Sequence, residues 1–255
     1  MIDIHTHILP DVDDGIQSIE DSITLAEKAA AEGIHTLAAT PAYREGLNLY
    51  SKKEIITQVQ DVNKHLQRRS INITVLPGQV ISIHGDLLDD LKHNQLMTIN
   101  EDTPYLLLEL PKDHVPQYIS TLLFQLQMEG YIPIIAQPEH NEQVQHNPNV
   151  LYSLIKNGAK AQLASGSLCG KYGKKIKKLS HQLIEANLVH LIASDMKLEK
   201  KRKFYMKEAF QLIKKSYGPD MEEQLAYNAR LVIEGEPIVG DLPEHIKKRK
   251  FISIL

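Results

Sequence analysis

The sequence lacks the features that mark disulfide-bonded, membrane-spanning and secreted proteins. It contains one cysteine, Cys169, which excludes an internal disulfide and fits a reducing compartment. No apolar run approaches the roughly 20 residues that a membrane-spanning helix needs. The N-terminus carries acids and histidines where a signal peptide would carry lysines and an apolar stretch. We therefore expect a cytoplasmic protein.

An excess of basic residues is also missing. The chain has 29 Lys and Arg residues against 32 Asp and Glu residues, which gives a formal net charge of -3. A general nucleic-acid binder gains affinity by releasing counterions from phosphates, and that requires an overall basic surface. The composition therefore predicts no nucleic-acid partner.

The chain is long enough for one large domain. The 255 residues are 42% hydrophobic, and no low-complexity segment or linker interrupts them, so we expect a single domain over 1–255. A short basic tail ends the chain at about 245–255, with four cations at 247–250 before an apolar end. This tail is either a frayed terminus or a weak tether to an anionic membrane surface or a membrane-bound kinase.

Short aliphatic runs alternate with amphipathic helical patterns along the chain. After the N-terminal strand, strands are predicted at 34–40, 73–76, 105–110, 132–136, 161–165 and 189–194. Helices are predicted at 18–32, 52–69, 116–129, 150–157, 174–186 and 204–217. This alternation is typical of α/β proteins and predicts a closed or nearly closed parallel barrel of seven strands.

The N-terminal strand carries two histidines, His5 and His7, followed by the acidic turn Pro10-Asp11-Val12-Asp13-Asp14-Gly15. Alternate side chains of a strand share a face, so the two imidazoles can bind one metal ion. The carboxylates behind them suit manganese, magnesium or iron as well as zinc. Without further ligands, the same pattern is also that of two polar residues on an ordinary barrel strand, because metal sites need three or four ligands.

Polar residues recur where the later strands end. These ends are Thr40-Pro41-Ala42-Tyr43, Pro77-Gly78-Gln79-Val80, Leu108-Glu109-Leu110-Pro111, Gln137-Pro138-Glu139-His140 and Ser194-Asp195-Met196-Lys197. In parallel barrels, the carboxyl ends of the strands meet at one mouth, where the chemistry gathers. The sequence therefore predicts a site at this mouth.

These motifs resemble the polymerase and histidinol phosphatase (PHP) superfamily. Within it, the chain is similar to the bacterial metal-dependent protein tyrosine phosphatases of capsule and exopolysaccharide synthesis. The likeness covers the whole chain and includes Leu76-Pro77-Gly78-Gln79, Asp113-His114-Val115-Pro116, Gly130-Tyr131-Ile132-Pro133 and Ser165-Gly166-Ser167-Leu168. It implies a distorted seven-stranded (β/α) barrel of the TIM type and up to three divalent metals, usually manganese. It also implies a partner, the tyrosine-phosphorylated kinase of polysaccharide synthesis.

The resemblance implies five metal ligands that this chain retains, namely His5, His7, Asp14, Glu109 and Asp195. At four other ligand positions the chain departs from the family pattern and has Ala42, Val80, Gln137 and Lys197. We therefore expect at most one tightly held ion, Mn²⁺ or another divalent ion such as Zn²⁺ or Fe²⁺, bound by His5, His7 and Asp195. Lys197 can pair with a neighbouring carboxylate and oppose entry of a further metal.

Two further residues are candidates for the catalytic step. The resemblance implies phosphate-binding arginines, of which Arg202 is retained, whereas His140 replaces another. With Lys197, these two residues are predicted to form a cationic ring that binds phosphate. The alternative is that Lys197 pairs with Asp14 or Asp195 and leaves no net positive site. Because two ions a few ångströms apart normally drive phosphate hydrolysis, we expect a phosphatase that is inactive or strongly impaired. The alternative is an active metal-dependent phosphatase that works with a reduced metal set.

Overall fold

A computed structural model describes residues 1–12, 16–44, 46, 50–197 and 203–246. Nine strands lie within these residues: β1 (Ile2–Thr6), β2 (Thr36–Ala39), β3 (Ala42–Tyr43), β4 (Thr74–Pro77), β5 (Val80–Ser82), β6 (Tyr105–Glu109), β7 (Ile132–Ala136), β8 (Lys160–Ala164) and β9 (Leu191–Ala193). The helices of the same part of the chain are α1 (Ile19–Ala31), α2 (Lys52–Arg68), α3 (Leu87–Lys92), α4 (Ile119–Met128), α5 (Glu142–His146), α6 (Asn149–Lys156), α7 (Ser165–Cys169), α8 (Lys174–Glu185), α9 (Met206–Tyr217) and α10 (Pro219–Glu234).

The strands are all parallel and form two sheets that complete one ring. The sheet orders are β1-β2-β4 and β3-β5-β6-β7-β8-β9. The Asp195 N–H donates to the carbonyl of His5 at 3.0 Å, and the His7 N–H donates to the carbonyl of Met196 at 2.9 Å. These bonds join the two sheets beside β1. On the other side of the ring, β2 and β4 of the first sheet lead, after two residues each, into β3 and β5 of the second sheet. The predicted barrel is therefore confirmed.

Two of the predicted strands, 34–40 and 73–76, are each followed after a short break by a further strand that the sequence did not predict. The first break, at Thr40 and Pro41, separates β2 from β3, and proline has no N–H to donate to a sheet. The second break, at Gly78 and Gln79, separates β4 from β5. A Cβ atom on Gly78 would lie 3.3 Å from Cγ2 of Thr40, so the two breaks approach each other closely and favour a glycine at this point. These breaks give the barrel its distortion.

Local signals place the helix ends where the sequence predicts them. The Ser18 hydroxyl accepts a hydrogen bond from the Asp21 N–H at 3.2 Å and begins α1, and Gly33 follows the helix with a φ of +84°. At the start of α2, Ser51 and Glu54 form a reciprocal capping box. Four helices are not predicted: α3, α5 and α7 are too short to show a helical period, and the buried face of α10 carries Asn228 among its apolar residues.

Apolar side chains pack on both faces of the barrel wall. Leu106 and Leu108 of β6 face the outer helices, whereas Leu107 packs inside the barrel. The interior cluster also holds Ile4, Ala38, Val80, Ile134, Ala136, Leu191 and Ala193. Ala229 and Val232 of α10 belong to the same cluster, so this helix closes one end of the barrel. Within the described residues, no helix has the length and apolar composition that crossing a bilayer requires.

Candidate metal centre

Two strands at the junction of the sheets position the candidate metal ligands. His5 lies on β1 and His7 follows that strand, whereas Asp195 follows β9. Asp195 has a φ of +50°, a left-handed conformation that costs free energy in a residue with a side chain. The hydrogen bond from its N–H to the carbonyl of His5 holds it there. The strained backbone therefore lies at the residue whose carboxylate contacts the two imidazoles.

The three side chains converge on one point. Oδ1 of Asp195 lies 3.2 Å from Nε2 of His7 and 3.7 Å from Nε2 of His5. One ligand atom from each residue lies within 4.8 Å of the other two, and no other group of three His, Cys, Asp or Glu residues in the described part of the chain meets this condition. Both histidines are buried and Asp195 is half-buried. We call this group the His5–His7–Asp195 triad.

Burial sets the protonation states around the triad. It lowers the pKa of His5 to about 4, so this imidazole is neutral near pH 7 and keeps a lone pair for a metal. Nearby Asp3 is fully buried, and burial raises the pKa of its carboxyl group to about 7. Oδ1 of Asp3 accepts from the Ser194 N–H at 3.0 Å and from the His5 N–H at 3.3 Å. Asp3 therefore joins β1 to the loop that carries Asp195.

The donor set fits a divalent metal. Two neutral imidazoles and one carboxylate are the ligands of mononuclear iron sites, and they also suit manganese and zinc. If these residues served only for packing, placing two buried histidines against a carboxylate would bring no evident gain in stability. The triad therefore offers the donors that one divalent ion needs.

Glu109 and His140 lie in a cavity of about 430 Å³ at the barrel mouth, which we call the mouth cavity. Its lining residues are Arg44, Ser82, Ile83, Glu109, Leu110, Pro111, Lys112, Ala136, Gln137, His140 and Asn141. Glu109 is exposed at the end of β6, where it is paired in register with Ser82 and Ala136. The structure therefore places Glu109 in the cavity and outside the triad.

His140 is held by contacts behind the mouth cavity. Its Nε2 lies 3.0 Å from the hydroxyl of Ser167 and 3.7 Å from Oε1 of Glu139, and its ring meets Tyr172 edge-on at 4.5 Å. Glu139 is fully buried, which raises the pKa of its carboxyl group, and it accepts a hydrogen bond from the Ala164 N–H at 2.9 Å. These contacts fix the imidazole in the cavity wall.

The four substituted positions have different surroundings. Ala42 and Val80 are paired in register on β3 and β5, and both pack with the apolar cluster inside the barrel. Gln137 adopts a φ of +47° at the edge of the mouth cavity. Lys197 is half-buried, and its charge is one of the causes that lower the pKa of His5. Two of the positions at which the resemblance implies a lost ligand are therefore part of the apolar barrel wall.

Part of the predicted site falls outside the described residues. This applies to Asp14, Arg202 and the basic tail from Lys247 onward. Lys197 is not among the residues lining the mouth cavity, so the predicted cationic ring of Lys197, Arg202 and His140 is represented there by His140. Arg44 and Lys112 provide the other cationic side chains of the lining.

The sequence reasoning did not single out Arg44, Lys112, Asp3 or Gln162. Arg44 and Lys112 each stand shortly after a strand end, and this position was the available signal. Asp3 and Gln162 lie within strands, and only the folded barrel shows that they reach the triad.

Comparison with known proteins agrees with this geometry. Residues 1–234 match the family model described as capsular polysaccharide synthesis, CpsB/CapC. The chain is 42% identical over 253 residues to the tyrosine-protein phosphatase YwqE of Bacillus subtilis (strain 168), covering 99% of each protein. It is 35% identical over 257 residues to the putative tyrosine-protein phosphatase CapC of Staphylococcus aureus, covering 100% of each.

Solved structures give the same result. A structure of YwqE, described together with CpsB from Streptococcus pneumoniae as unique metal-dependent tyrosine phosphatases, has a TM-score of 0.94 at 42% identity. The match covers 97% of this chain and 100% of that chain. A mutant organophosphorus hydrolase from Deinococcus radiodurans shares only the fold, with a TM-score of 0.55 at 12% identity over 91% of this chain and 92% of that chain. From the family match and these relatives, the chain belongs to the CpsB/CapC family of capsular polysaccharide synthesis proteins.

Proposed function

We propose that this chain binds tyrosine-phosphorylated protein in capsular or exopolysaccharide synthesis, with a phosphatase activity that is lost or strongly impaired. The observation that carries the proposal is that Ala42 and Val80 pack as apolar barrel wall, at two positions where the resemblance implies metal ligands. The proposed partner is the tyrosine-phosphorylated kinase of polysaccharide synthesis, because the relatives are named tyrosine-protein phosphatases.

The mouth cavity supplies the binding chemistry. Arg44, Lys112 and His140 offer N–H donors to a phosphate, and charged donors form the stronger hydrogen bonds to such groups. Leu110 and Pro111 provide apolar surface for an aromatic ring. Glu109 adds a negative charge in the same cavity, which opposes a bare phosphate dianion unless a cation is also present. A phosphotyrosine fits this combination of cationic and apolar groups.

The triad supplies one position for a divalent ion through His5, His7 and Asp195. Such an ion, when bound, polarises a phosphoryl oxygen and lowers the pKa of water. Val80 gives no carboxylate that would bridge to a second ion. A single centre stabilises the attacking and leaving oxygens of an in-line displacement less well than a pair. This is the physical reason for the proposed loss of turnover.

A second candidate is an active metal-dependent phosphatase with a reduced metal set. The observation that favours it is the intact triad, since His5, His7 and Asp195 already converge in a geometry suited to a metal. Glu109 in the adjoining cavity is a further potential ligand or general base.

One experiment separates the two candidates. The protein is purified without chelator, its metal content is measured by elemental analysis, and hydrolysis of a phosphotyrosine peptide is followed with and without added Mn²⁺. Bacillus subtilis YwqE, a named tyrosine-protein phosphatase, serves as the positive control. We expect at most one ion per chain and turnover at least 100-fold below that of YwqE. Two or more ions, or Mn²⁺-dependent turnover near that of YwqE, would establish the active enzyme.

Binding is measured on the same preparation by calorimetric titration with the peptide. We expect binding that weakens as salt rises and that is reduced by His140→Ala. His93→Ala is the matched control, because His93 is exposed at the end of α3 and does not line the mouth cavity. Undetectable binding at low salt, or equal effects of the two variants, would refute the assignment of the mouth cavity.

A further inference from the structure

The triad has a buried neighbour with no assigned role, Gln162. This residue lies on β8, is fully buried, and has an inward-facing side chain between Ala161 and Leu163, which face the outer helices. Its Oε1 lies 3.1 Å from Nδ1 of His5. An amide inside an otherwise apolar barrel costs free energy unless its polar atoms are paired, so its presence needs a reason.

We propose that Gln162 is a positioning residue that makes His5 a metal ligand. Its Oε1 accepts a hydrogen bond from the Nδ1–H of His5, so Nδ1 carries the ring proton and the lone pair resides on Nε2. Nε2 is also the atom that faces Asp195, at 3.7 Å from Oδ1. The tautomer that Gln162 selects is therefore the one that can bind an ion together with His7 and Asp195.

The opposite arrangement is chemically different. If the His5 proton were on Nε2, the lone pair on Nδ1 would face the lone pairs of Oε1, and the amide would have to turn to present its Nε2 group. The imidazole would then direct an N–H at the ion position and could not ligate. Histidine ligands in metal sites commonly donate their other N–H to an oxygen acceptor, which fixes tautomer and ring orientation. Gln162 takes that place for His5.

The second polar atom of Gln162 supports this assignment. Within the described residues, the buried Nε2 of Gln162 has no hydrogen-bond partner. A side chain kept only for stability would leave no buried donor unpaired, because each one costs about 1–3 kcal/mol. The contact that remains for the side-chain amide is the one from Oε1 to His5. The free-energy cost of the unpaired Nε2 is therefore offset by the role of Oε1 in orienting His5.

The proposal rests on the proposed metal role of the triad, and the test separates the two. The tautomer of His5 in the unmodified, metal-free protein is read from long-range ¹H–¹⁵N correlation spectra, with His5→Asn used to assign the signal. We expect a protonated Nδ1 and an unprotonated Nε2. A protonated Nε2 would overturn the proposal for Gln162, and the tautomer itself is read in the unmodified protein.

The second measurement is the affinity of the protein for Mn²⁺ and Zn²⁺, by calorimetry. Gln162→Met keeps the length of the side chain and removes the acceptor, and we expect it to raise the Kd for the ion about 10- to 100-fold. Gln162→Glu keeps an oxygen acceptor and is expected to retain tighter binding than Gln162→Met. Asn228→Leu is the matched control, because Asn228 is a buried amide on α10 that bonds to His190 and Val239.

The outcomes distinguish the two ideas. If the unmodified protein binds no ion at the triad, the metal centre and the positioning role both fail. If it binds an ion and Gln162→Met changes the Kd no more than Asn228→Leu does, only the role of Gln162 is refuted.

Discussion

At the scale of single residues, burial decides which histidines are neutral and therefore what they can do. His5 has a pKa lowered to about 4, and His190 has one lowered to about 3, in both cases chiefly by burial. His5 faces a carboxylate and another imidazole. His190 instead accepts a hydrogen bond from the Ala161 N–H at 3.3 Å, and it precedes β9, at the opposite end of that strand from Asp195. A pKa lowered by burial thus occurs at a candidate metal ligand in one case and at a packing residue in the other.

The shift at His190 predicts acid sensitivity. An unfolded histidine has a pKa near 6.5, so between about pH 6.5 and 3 the unfolded chain binds a proton that the folded protein excludes. The free energy of unfolding is therefore highest above pH 6.5 and falls as the pH drops, by up to about 1.4 kcal/mol per pH unit from this residue. When the pH is lowered from 6.5 to 5.5, we expect the free energy of unfolding of His190→Gln to fall by about 1 kcal/mol less than that of the unmodified protein.

Urea unfolding at the two pH values checks this. Parallel losses in the unmodified protein and in His190→Gln would show that His190 does not take up a proton on unfolding. At pH 7.5 the variant is expected to be somewhat less stable than the unmodified protein, since the imidazole packs against Gly240.

At the scale of elements, the chain after α10 fastens that helix to the end of the barrel. The Tyr105 hydroxyl donates to the carbonyl of Glu236 at 2.5 Å and accepts from the Ile238 N–H at 3.1 Å. The Asn228 side chain bonds to Val239 in both directions. A helix that the sequence pattern did not predict is therefore held by polar contacts between residues more than 130 positions apart, such as Tyr105 and Glu236.

Removing the Tyr105 hydroxyl tests this attachment. We expect Tyr105→Phe to lower the free energy of unfolding by about 1–3 kcal/mol, because two partners lose their bond at a buried site. Tyr227→Phe is the matched control: Tyr227 lies on α10 and is 51% exposed, so little change is expected. Urea unfolding of both variants measures the difference. Equal stabilities would mean that the segment after α10 does not depend on Tyr105.

At the scale of the whole molecule, the four positions at which the resemblance implies lost metal ligands lie on or shortly after strands of the barrel. Ala42 and Val80 are opposite each other on neighbouring strands, and Gln137 lines the mouth cavity. The structure matches a relative described as a metal-dependent tyrosine phosphatase with a TM-score of 0.94. Ala42 and Val80 are themselves part of the apolar packing inside the barrel, so apolar side chains at these positions are compatible with an intact scaffold.

Restoring the ligands together is expected to restore metal binding cooperatively. Val80→Glu alone places a carboxylate among buried apolar side chains and is expected to cost about 2 kcal/mol or more. Combined with Ala42→His, Gln137→His and Lys197→His, the same glutamate gains metal partners, so the fourfold variant is expected to bind at least one further ion and to be stabilised by Mn²⁺. Elemental analysis and thermal unfolding with and without Mn²⁺ measure this. A fourfold variant that takes up no further metal would show that the alignment of these four motifs is wrong.

The sequence by itself determined the barrel, the ends of the long helices and the identities of the candidate ligands. It could do so because strand and helix periods, the Ser18 cap and the strand-end motifs are local patterns. The family resemblance already implied that Asp195 joins His5 and His7. Only the tertiary structure decided that Glu109 goes to the mouth cavity with Arg44 and His140, and that Gln162 reaches His5 across 157 positions of chain. The physical reason is that closing a parallel ring sets the neighbours of each inward-facing side chain through strand register and the strained turn at Asp195, and neither leaves a periodic trace in the sequence.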